Sequence, residues 1–443
     1  MDKEQIYLLK KMRKYFSKYE NQFFRPKFNS IFYFATYSNF IGSYVIKKLA
    51  KIYDKNIFSN LNLIFKDFFF SLSYINNYLR FKSIPEKFNK LIITWAFYEN
   101  FDKKGNLIDR YLNKNSKLEK NTLWFVIYMD RKIPKNIGKN VILFCKKEKK
   151  SFNVLLLFGF FIRNIKYLLK DLNYFLFSIS NHNFLSGVIL EKLKPFLNSK
   201  LKYVLIPYEG QPFQNNIIAY LKKKKYKIKT IGYIHSPPLA FPSNFIYKKN
   251  SSPDKIILNG KDQVYCFNKI LGWKKSSIKL LPSFRFLQSS VKVKKIIYLP
   301  LQIRQRFIVL NSLKYLIENN LVNIINFKIR NHPGGLNSRQ NLLLIRDIEK
   351  LKIKYKNYSF LKTKQDFLIF IGNSGGIIEA LERGSKVIQI AEFPLFEIYS
   401  NRIWPSIIRK KINENIYIYS LKKKGNLIKL GNNKRGIFNF NNL

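Results

Sequence analysis

Short apolar runs alternate with amphipathic segments through most of this chain beyond about residue 85, and this alternation constrains the fold most strongly. Runs such as Tyr203–Pro207 and Phe367–Ile371 have the length of buried strands, and each is followed by a segment with helical spacing. Strands that alternate with helices form mostly parallel sheets with helices on both faces. The sequence therefore predicts an α/β protein.

The alternation pauses between Pro282 and Lys292 and then starts again. A chain of 443 residues is also too long for one ordinary hydrophobic core. We therefore predict two Rossmann-like, doubly wound domains over residues 86–285 and 286–443, preceded by an N-terminal helical extension over residues 1–85. In such a tandem the carboxyl ends of both sheets face the cleft between the domains, where ligands bind.

Two turns rich in glycine and hydrogen-bond donors follow strand-like runs in the second predicted domain. The first is Arg330–Gly335 and the second is Asn373–Gly376, and a helix-like segment comes after each. Open α/β sheets bind ligands at the carboxyl ends of their strands. We therefore expect the two turns to lie at the ends of adjacent strands and to bind a nucleotide-like phosphate.

The second of these turns has the chemistry that a phosphate needs. Asn373 and Ser374 supply polar side chains, and Gly375 and Gly376 have no side chain to block the approach of a phosphate to the backbone. The positive end of the following helix dipole adds attraction. The alternative is a tight strand-to-helix turn that only caps the helix. Glu379, in the first helical turn, either accepts hydrogen bonds from ribose hydroxyls or stabilises the helix dipole.

The first turn presents a histidine. His332 precedes a proline, so its backbone is bent away from the helical region and its imidazole is displayed at a strand end. We predict that His332 donates a hydrogen bond to a phosphate or a departing oxygen, with Arg330 and Gly334 beside it as donor-binding residues. The alternative is a histidine that only shapes its turn.

A carboxylate, Glu209, ends an apolar strand of the first predicted domain and is followed by Gly210. At that position it faces the predicted cleft and can accept a proton from an attacking hydroxyl. The alternative is a carboxylate that stabilises a helix N-terminus. Gln211 and His235 are predicted to lie on the acceptor side of the cleft, although a purely structural turn explains His235 equally well.

The types and spacing of metal-binding residues argue against a bound metal. The chain has three histidines, no Asp-x-Asp sequence and no pair of histidines at metal-ligand spacing. We therefore expect chemistry that needs neither a divalent metal nor a cofactor. Cys145 and Cys266 are the only cysteines, and both stand in apolar stretches, which is typical of buried thiols rather than a disulfide.

The formal net charge is +55, and two explanations fit it. Lys, Asn, Ile, Phe and Tyr are all frequent, as translation of an AT-rich genome would produce, or else the charge marks an anionic partner. The lysine clusters, such as Lys222–Lys225, are scattered, and no nucleic-acid-binding motif accompanies them. An anionic membrane surface is thus the favoured partner, and no nucleic acid is expected.

The sequence predicts a cytoplasmic protein that attaches peripherally to the inner face of the cytoplasmic membrane. The N-terminus has a mixed charged and apolar pattern without the apolar core of a secretory signal. The longest apolar run, Val154–Ile162, has nine residues, which is too short to cross a bilayer.

A resemblance to a known enzyme class rests on three short motifs. In chain order, Glu209-Gly210, His332-Pro333 and Ser374 resemble motifs of GT-B glycosyltransferases encoded in surface-polysaccharide gene clusters, bacterial sialyltransferases among them. The resemblance implies the GT-B architecture, in which two Rossmann-like domains face a cleft. It also implies that Glu209 is the general base, that His332 assists the departing phosphate and that Ser374 binds this phosphate.

Two positions depart from the sialyltransferase pattern. Tyr208 stands where that family usually has a second acid, and Gly375 stands where a second hydroxyl residue is common. The spacing Ser-Gly-Gly-Ile-x-Glu, from Ser374 to Glu379, is instead similar to UDP-sugar enzymes of the same architecture, including UDP-N-acetylglucosamine 2-epimerases. Whether the donor is a CMP-sugar or a UDP-sugar therefore stays open.

Together with the turns and the carboxylate, the resemblance predicts a metal-independent inverting glycosyltransferase. Its reaction moves a sugar from a nucleotide-sugar donor to a glycan or lipid-linked acceptor during synthesis of lipopolysaccharide or capsule. The alternatives are a sugar-nucleotide epimerase on the same fold and, at a greater distance, a basic nucleic-acid-binding protein, which would show strongly salt-dependent binding.

Overall fold

The structure of the protein is a computed structural model that describes most of the chain between residues 77 and 432, together with an N-terminal helix. The described residues are 2–23, 77–83, 88–119, 121–146, 158–159, 162, 165, 181–197, 200–224, 227–288, 295–301, 303–332, 336, 338–358 and 367–432. Gly334, one of the predicted donor-binding residues, lies outside the described residues.

The first half of the chain builds an eight-stranded sheet. The strands up to residue 280 are β1 (Asn77–Arg80), β2 (Lys90–Ala96), β3 (Ile108–Asp109), β4 (Lys114–Asn115), β5 (Thr122–Tyr128), β6 (Val141–Lys146), β7 (Tyr203–Pro207), β8 (Lys229–Tyr233), β9 (Lys255–Leu258) and β10 (Ile278–Leu280). The order in the sheet is β1-β6-β5-β2-β7-β8-β9-β10, while β3 and β4 form a separate hairpin. Strand β1 is antiparallel to β6, and the other neighbours are parallel.

The second half builds a six-stranded sheet. Its strands are β11 (Ile296–Tyr298), β12 (Lys328–Arg330), β13 (Phe367–Ile371), β14 (Lys386–Ile390), β15 (Ile407–Lys411) and β16 (Ile416–Leu421). The order is β12-β11-β13-β14-β16-β15, and the first four strands are parallel. Strands β15 and β16 form an antiparallel hairpin on one edge, which the alternation of the sequence did not predict.

Most helices of the described residues lie between consecutive parallel strands, whereas α1 precedes the first sheet and α8 precedes the antiparallel hairpin. In the first half they are α1 (Asp2–Phe23), α2 (Asn181–Leu193), α3 (Pro212–Lys223) and α4 (Lys261–Tyr265). In the second half they are α5 (Arg306–Glu318), α6 (Arg339–Lys354), α7 (Gly376–Glu382) and α8 (Pro394–Glu397). Every residue of β5 and of β13 is buried, as expected for parallel strands covered on both faces. The predicted α/β class with two Rossmann-like sheets is confirmed.

Each sheet reverses its direction of winding at one point. In the first sheet the chain passes from β2 to β5 and β6 on one side, and then to β7, β8 and β9 on the other. In the second sheet it passes from β11 to β12 on one side, and then to β13 and β14 on the other. The crevice at the carboxyl ends of such a pair of strands is the usual ligand site of a doubly wound sheet. A ligand site is therefore expected at the carboxyl ends of the pairs β2/β7 and β11/β13.

The expectation that the two glycine-rich turns follow adjacent strands is wrong. The turn at Asn373 follows β13, and the turn at His332 follows β12, but β11 lies between these strands. The physical reason is the doubly wound topology, which places the first strand of the domain in the middle of the sheet. The strand before the first turn, β12, has only three residues and ends at Arg330, the first residue of that turn.

The two halves share one hydrophobic core. Residues from both, such as Ile217 and Ile377, belong to the same cluster of buried side chains. Trp404 is fully buried and donates from Nε1 to the carbonyl oxygen of Ala240 in the first half at 3.2 Å. Asp262 of the first half accepts a hydrogen bond from the Ser406 backbone N–H at 2.7 Å. The halves are therefore packed against each other rather than joined by a loose linker.

Helix α1 also packs against the second half. Gln5 is fully buried and donates from Nε2 to the carbonyl oxygens of Leu395 and Ile398, at 2.7 and 2.9 Å. Asp2 forms an ion pair of 2.8 Å with Arg409 of β15. Strand β1 lies within the span expected to be an extension, but it pairs with β6 of the first sheet.

Two further sequence predictions concern the cysteines and the membrane. Cys145 and Cys266 are both free and buried, as predicted. Among the described helices, none combines the length and the apolar character needed for a transmembrane span.

Candidate active site

A cavity of about 390 Å³ lies between the two halves, at the winding reversals of both sheets. Its residues from the first half follow β7 and β8, and they are Glu209, Gln211, Ser236, Pro237, Leu239, Phe241, Asn244 and Phe245. Those from the second half follow β11, β13 and β14, and they are Pro300, Leu301, Arg304, Gly372, Asn373, Gly375, Glu392 and Glu397. The volume lies within the range of small-molecule sites. Four residues predicted from the sequence, Glu209, Gln211, Asn373 and Gly375, meet in this cavity.

A rigid turn holds Glu209 at the cavity. Gly210 has a φ of +70°, and a side chain there would place its Cβ 2.3 Å from the carbonyl oxygen of Asn244, so glycine is required. The buried amide of Gln214 accepts hydrogen bonds from the backbone N–H groups of Glu209 and Gln211, at 2.9 and 3.1 Å. The Asn244 side chain donates to the Glu209 carbonyl oxygen at 2.7 Å. The backbone that carries the carboxylate is thus fixed from three directions.

Tyr208 belongs to the support of this turn. Its side chain is fully buried, and its hydroxyl donates to Oδ1 of Asn215 at 2.9 Å. Asn215 in turn donates from Nδ2 to the carbonyl oxygen of Gly210 at 3.1 Å. The position at which sialyltransferases usually have a second acid is therefore filled here by a side chain that braces the turn.

Both carboxylate oxygens of Glu209 have defined partners. Oε1 lies 3.1 Å from Nε2 of His235, and Oε2 accepts a hydrogen bond of 2.5 Å from Nε2 of Gln211. Burial by itself raises the pKa of the Glu209 carboxyl, but the hydrogen bonds and charge of His235, the Gln211 bond and the charge of Arg285 outweigh it. The pKa therefore lies below its ordinary value of 4.5. The side chain is 35% exposed and lines the cavity.

His235 is a buried part of the same network rather than an isolated turn histidine. Only 3% of its surface is exposed, and its ring contacts the edge of Tyr111 with centroids 4.5 Å apart. Its Nδ1 is buried without a hydrogen-bond partner in the described part of the chain. Asp109, also buried, accepts a hydrogen bond of 2.5 Å from Thr94. Burial raises the pKa of Asp109, whereas the hydrogen bond from Thr94 and the charge of His235 lower it.

The opposite wall is the turn after β13. Asn373 has a buried Oδ1 without a hydrogen-bond partner among the described residues, and Gly372 has a φ of +68° that favours glycine. The backbone N–H of Gly376 donates to Oγ of Ser374 at 3.2 Å. Gly375 lines the cavity and lies against Pro237 of the first half. The turn therefore presents backbone and amide groups to the cavity, while the Ser374 hydroxyl is engaged locally.

The other predicted donor-side residues lie outside the cavity lining. Arg330 and His332 are exposed at the end of β12, and the Arg330 guanidinium lies 5.8 Å from the ring centroid of Tyr298. The adjacent Asn331 accepts a hydrogen bond from Asn341, whose amide also donates to the carbonyl oxygen of Pro300 at the cavity.

Glu379 is paired within its own helix. It forms an ion pair of 3.1 Å with Arg383, one helical turn further on. The carboxylate of Glu379 is therefore engaged by an arginine of its own helix, and its ribose-binding role stays a prediction.

Three charged residues of the cavity were missed in the sequence. Arg304 is exposed at the cavity, and its backbone N–H donates to Oε1 of Glu392 at 2.8 Å. Glu392 is the second residue after β14, and Arg304 follows β11 after a short loop. For these two residues the sequence did contain a signal, because each is a polar residue shortly after the carboxyl end of a strand. Glu397 in α8 gave no such signal, because it reaches the cavity only through tertiary packing.

Glu392 and Glu397 form a buried acidic pair, with 5% and 4% of their surfaces exposed. Burial raises the pKa of Glu392 above its ordinary value. Burial and then the charge of Glu392 raise the pKa of Glu397 to about 7. Glu397 therefore changes its charge inside the cavity near neutral pH. Within the described residues, no group of three or more His, Cys, Asp or Glu side chains is placed to hold a metal ion.

No protein-family model matches the chain, and no curated protein matches it. Among solved structures it is similar to the catalytic domain of starch synthase IV from Arabidopsis thaliana, bound to ADP and acarbose. The two are 9% identical, the match covers 69% of this chain and 83% of that one, and the TM-score is 0.32.

It is also similar to two structures of the wall teichoic acid polymerase TagF. One has a histidine-to-asparagine substitution and was soaked with CDPG, with 13% identity, coverage of 68% of this chain and 69% of that one, and a TM-score of 0.29. The other has a histidine-to-alanine substitution, with 12% identity, coverage of 67% and 69%, and a TM-score of 0.28. Likenesses this weak do not decide a function, which has to be inferred from the cavity itself.

Proposed function

We propose that the protein is a glycosyltransferase that uses a nucleotide-sugar donor. One observation carries the proposal: the ionised carboxylate of Glu209 faces the Asn373–Gly376 turn and Arg304 across a single cavity. That cavity stands where both doubly wound sheets reverse their winding. Displacement of a nucleotide by a hydroxyl requires two parts. One is a base on one wall of the cavity, and the other is a set of polar groups and a cation on the opposite wall.

The donor binds on the wall from the second half. Its phosphate lies between the Arg304 guanidinium and the backbone of Asn373 and Gly375, where a charge-assisted hydrogen bond forms. The Ser374 and His332 roles implied by the resemblance remain part of the proposal. For His332 they require a movement of its turn towards the cavity, since it stands outside the lining.

The acceptor binds on the wall from the first half. Its hydroxyl approaches Glu209, whose carboxylate accepts the proton as the oxygen forms its bond to the sugar carbon. The nucleotide leaves with the electron pair of the bond that breaks, and the sugar carbon is inverted. Gln211 and His235 hold the carboxylate in place through their contacts of 2.5 and 3.1 Å. The reaction needs no metal ion or cofactor in this scheme.

The finer parts of the proposal come from the sequence resemblance. The acceptor is a glycan or lipid-linked sugar of lipopolysaccharide or capsule, and the donor is a CMP-sugar or a UDP-sugar. The enzyme is cytoplasmic and uses exposed lysines to attach to an anionic membrane surface. The acceptor-binding and donor-binding parts correspond to residues 86–285 and 286–443, and strand β1, from the span expected to be an extension, adds to the acceptor-binding sheet.

Nucleotide binding tests the donor side directly. We expect CMP or UDP to bind in preference to GDP, and Arg304→Ala to weaken that binding by about 10-fold or more, because a hydrogen bond to a charged group is lost. Isothermal titration calorimetry at moderate salt measures both. The matched control is Arg346→Ala, which removes an equally charged and exposed arginine on α6, outside the cavity lining. Equal binding of all three nucleotides, or equal losses in the two variants, would show that only the net charge of +55 is being measured.

The charge of Glu397 should make nucleotide binding depend on pH. Its pKa of about 7 means that it gains a negative charge inside the cavity as the pH rises through neutrality. An anionic phosphate is bound better by the protonated form, so affinity should fall between pH 6 and pH 8, by about 5-fold, the lower end of typical couplings between sites. Glu397→Gln should abolish this decrease. Because the nucleotide also titrates, the informative quantity is the difference between wild type and variant, and identical pH profiles would contradict the prediction.

A further inference from the structure

An exposed arginine stands beside the base on the acceptor side. The Arg285 guanidinium lies 5.3 Å from the ring centroid of Tyr111 and 5.3 Å from that of Phe286. Two rings therefore restrict its position, which lowers the entropy cost of binding an anion. Among the described residues it forms no ion pair with an acid. Its charge nevertheless lowers the pKa of Glu209. The cation is thus oriented and still available.

The ring of Tyr111 contacts both this cation and His235, the partner of the base. Burial is the main reason that the pKa of its hydroxyl is raised; the charge of Arg285 lowers this pKa, and the charges of Glu209 and Asp109 raise it further. Tyr111 is only partly buried, so it can offer a hydrogen bond to a ligand.

The surroundings of Tyr111 hold it in this position. Its ring edge contacts His235, with centroids 4.5 Å apart, and Trp95, with centroids 5.9 Å apart. His235 is bound to Glu209, so one connected cluster orients the base, the phenol and, through the ring of Tyr111, the arginine. Tyr111 and Arg285 are not among the residues that line the interdomain cavity, whereas Glu209 is. The cluster and the cavity therefore meet at Glu209.

We propose that Tyr111 and Arg285 form the acceptor subsite and that the acceptor sugar carries an anionic group, a phosphate or a carboxylate, which Arg285 binds. This rests on the proposed function, because it assigns the acceptor side of the same site. A sugar whose hydroxyl lies at Glu209 places its ring beside Tyr111 and its anionic group at the guanidinium. The planar fork of arginine suits either anion, since both present two oxygens in one plane.

The experiment measures binding of three small sugars to the full-length protein by saturation-transfer NMR titration. The probes are glucose 1-phosphate, glucuronate and glucose, so the three arms distinguish a phosphate, a carboxylate and no charge. We expect at least one anionic sugar to bind about 10-fold or more tightly than glucose, as a charge-assisted hydrogen bond provides. Inorganic phosphate should compete with this sugar only weakly, because it lacks the ring that contacts Tyr111.

Two substitutions separate the subsite from the overall charge. Arg285→Gln should reduce the preference for the anionic sugar to about that for glucose, and Tyr111→Phe should weaken all the sugars that bind. Arg346→Ala, which removes the same charge elsewhere on the surface, should leave the preference intact. Arg285→Lys should restore only part of it, because the ammonium lacks the planar fork.

The outcomes distinguish this inference from the proposed function. Nucleotide binding that is lost in Arg304→Ala and unchanged in Arg285→Gln, together with the sugar preference above, supports both. Equal binding of all three sugars, or an anion preference that Arg285→Gln and Arg346→Ala reduce equally, overturns the acceptor subsite while nucleotide binding still supports the donor site. Loss of nucleotide specificity with a retained, Arg285-dependent anion preference would overturn the proposed function instead.

Discussion

Glu209→Gln should lower the rate of nucleotide release from the donor by about 10²–10⁴-fold, the usual contribution of a positioned general base. The substitution keeps the size of the side chain but removes the ionised oxygen that faces the cavity. His235 and Gln211 both donate to the native carboxylate. In the variant, the amide NH₂ group of the new glutamine therefore faces one of these two donors. The Gln211 amide can turn to offer its oxygen instead, and the turn should therefore survive the substitution.

Nucleotide affinity should stay within about 2-fold of wild type, because the donor binds on the opposite wall and a factor of two is below the effect of one hydrogen bond. The measurement is release of CMP or UDP from the nucleotide sugar whose nucleotide binds, with and without added acceptor sugar. Glu191→Gln, an exposed glutamate of α2, is the matched control and should release nucleotide at the wild-type rate. Normal turnover of Glu209→Gln would remove Glu209 from the mechanism.

At a donor concentration that saturates the enzyme, so that the pH dependence of donor binding has no effect, activity should also remain constant as the pH falls from 7 to 5 and decrease only below the ordinary carboxyl pKa of 4.5. The pKa of Glu209 is depressed, so the ionised form that accepts the proton persists down to that pH and is lost as the pH falls through the depressed value. Release of nucleotide in buffers of constant ionic strength measures this profile. A loss of activity already at pH 6, accompanied by unchanged nucleotide binding, would mean that another group controls the reaction.

The second large effect should be on stability. Trp404→Ala should reduce the free energy of unfolding by about 3–5 kcal/mol, as for other buried aromatic side chains cut back to alanine. Trp404 is fully buried in the core that both halves share, and its indole N–H donates to the carbonyl oxygen of Ala240. The substitution creates a cavity and leaves that carbonyl without its partner.

Chemical denaturation followed by far-ultraviolet circular dichroism measures this loss. Phe307→Ala is the control, because Phe307 is 71% exposed and its removal should change the stability by less than about 0.5 kcal/mol. A loss below about 1 kcal/mol for Trp404→Ala would show that the site relaxes to fill the space. Since the two halves share this core, we also expect wild type to unfold in a single transition.

The main strands of the first and second sheets could be predicted from the sequence, because buried parallel strands are uninterrupted apolar runs. Strands β7 and β13 begin and end at the residues predicted from their apolar runs. The antiparallel hairpin β15–β16 was not predicted. Strand β15 is mostly exposed and three of its five residues are charged, so it has no apolar run to recognise. Strand β16 is largely apolar, but an apolar run does not by itself show that its strand pairs antiparallel with β14 and β15.

The candidate site was predictable only in part, and the difference is one of distance along the chain. Glu209 and the turn at Asn373 each follow a buried strand, so local pattern was enough to find them. Arg285 and Tyr111 meet Glu209 from segments that lie more than 70 positions away in the sequence, and neither ends a buried strand. Residues brought together only by packing leave no periodic signal in a single sequence.

The sequence alone determined the class of this protein and the chemistry available to it: parallel sheets, a carboxylate at one strand end and a glycine-rich turn at another. Those features follow from local rules, namely strand length, the alternation of strand and helix, and the backbone freedom of glycine. Only the tertiary structure decided which of these residues meet. In the second sheet β11 lies between β12 and β13, the strands that precede the two turns. His332 therefore lies outside the cavity lining. The shared core of the two halves then places Glu209 opposite Asn373 and Arg304, because packing, rather than any local preference, sets how two sheets face each other.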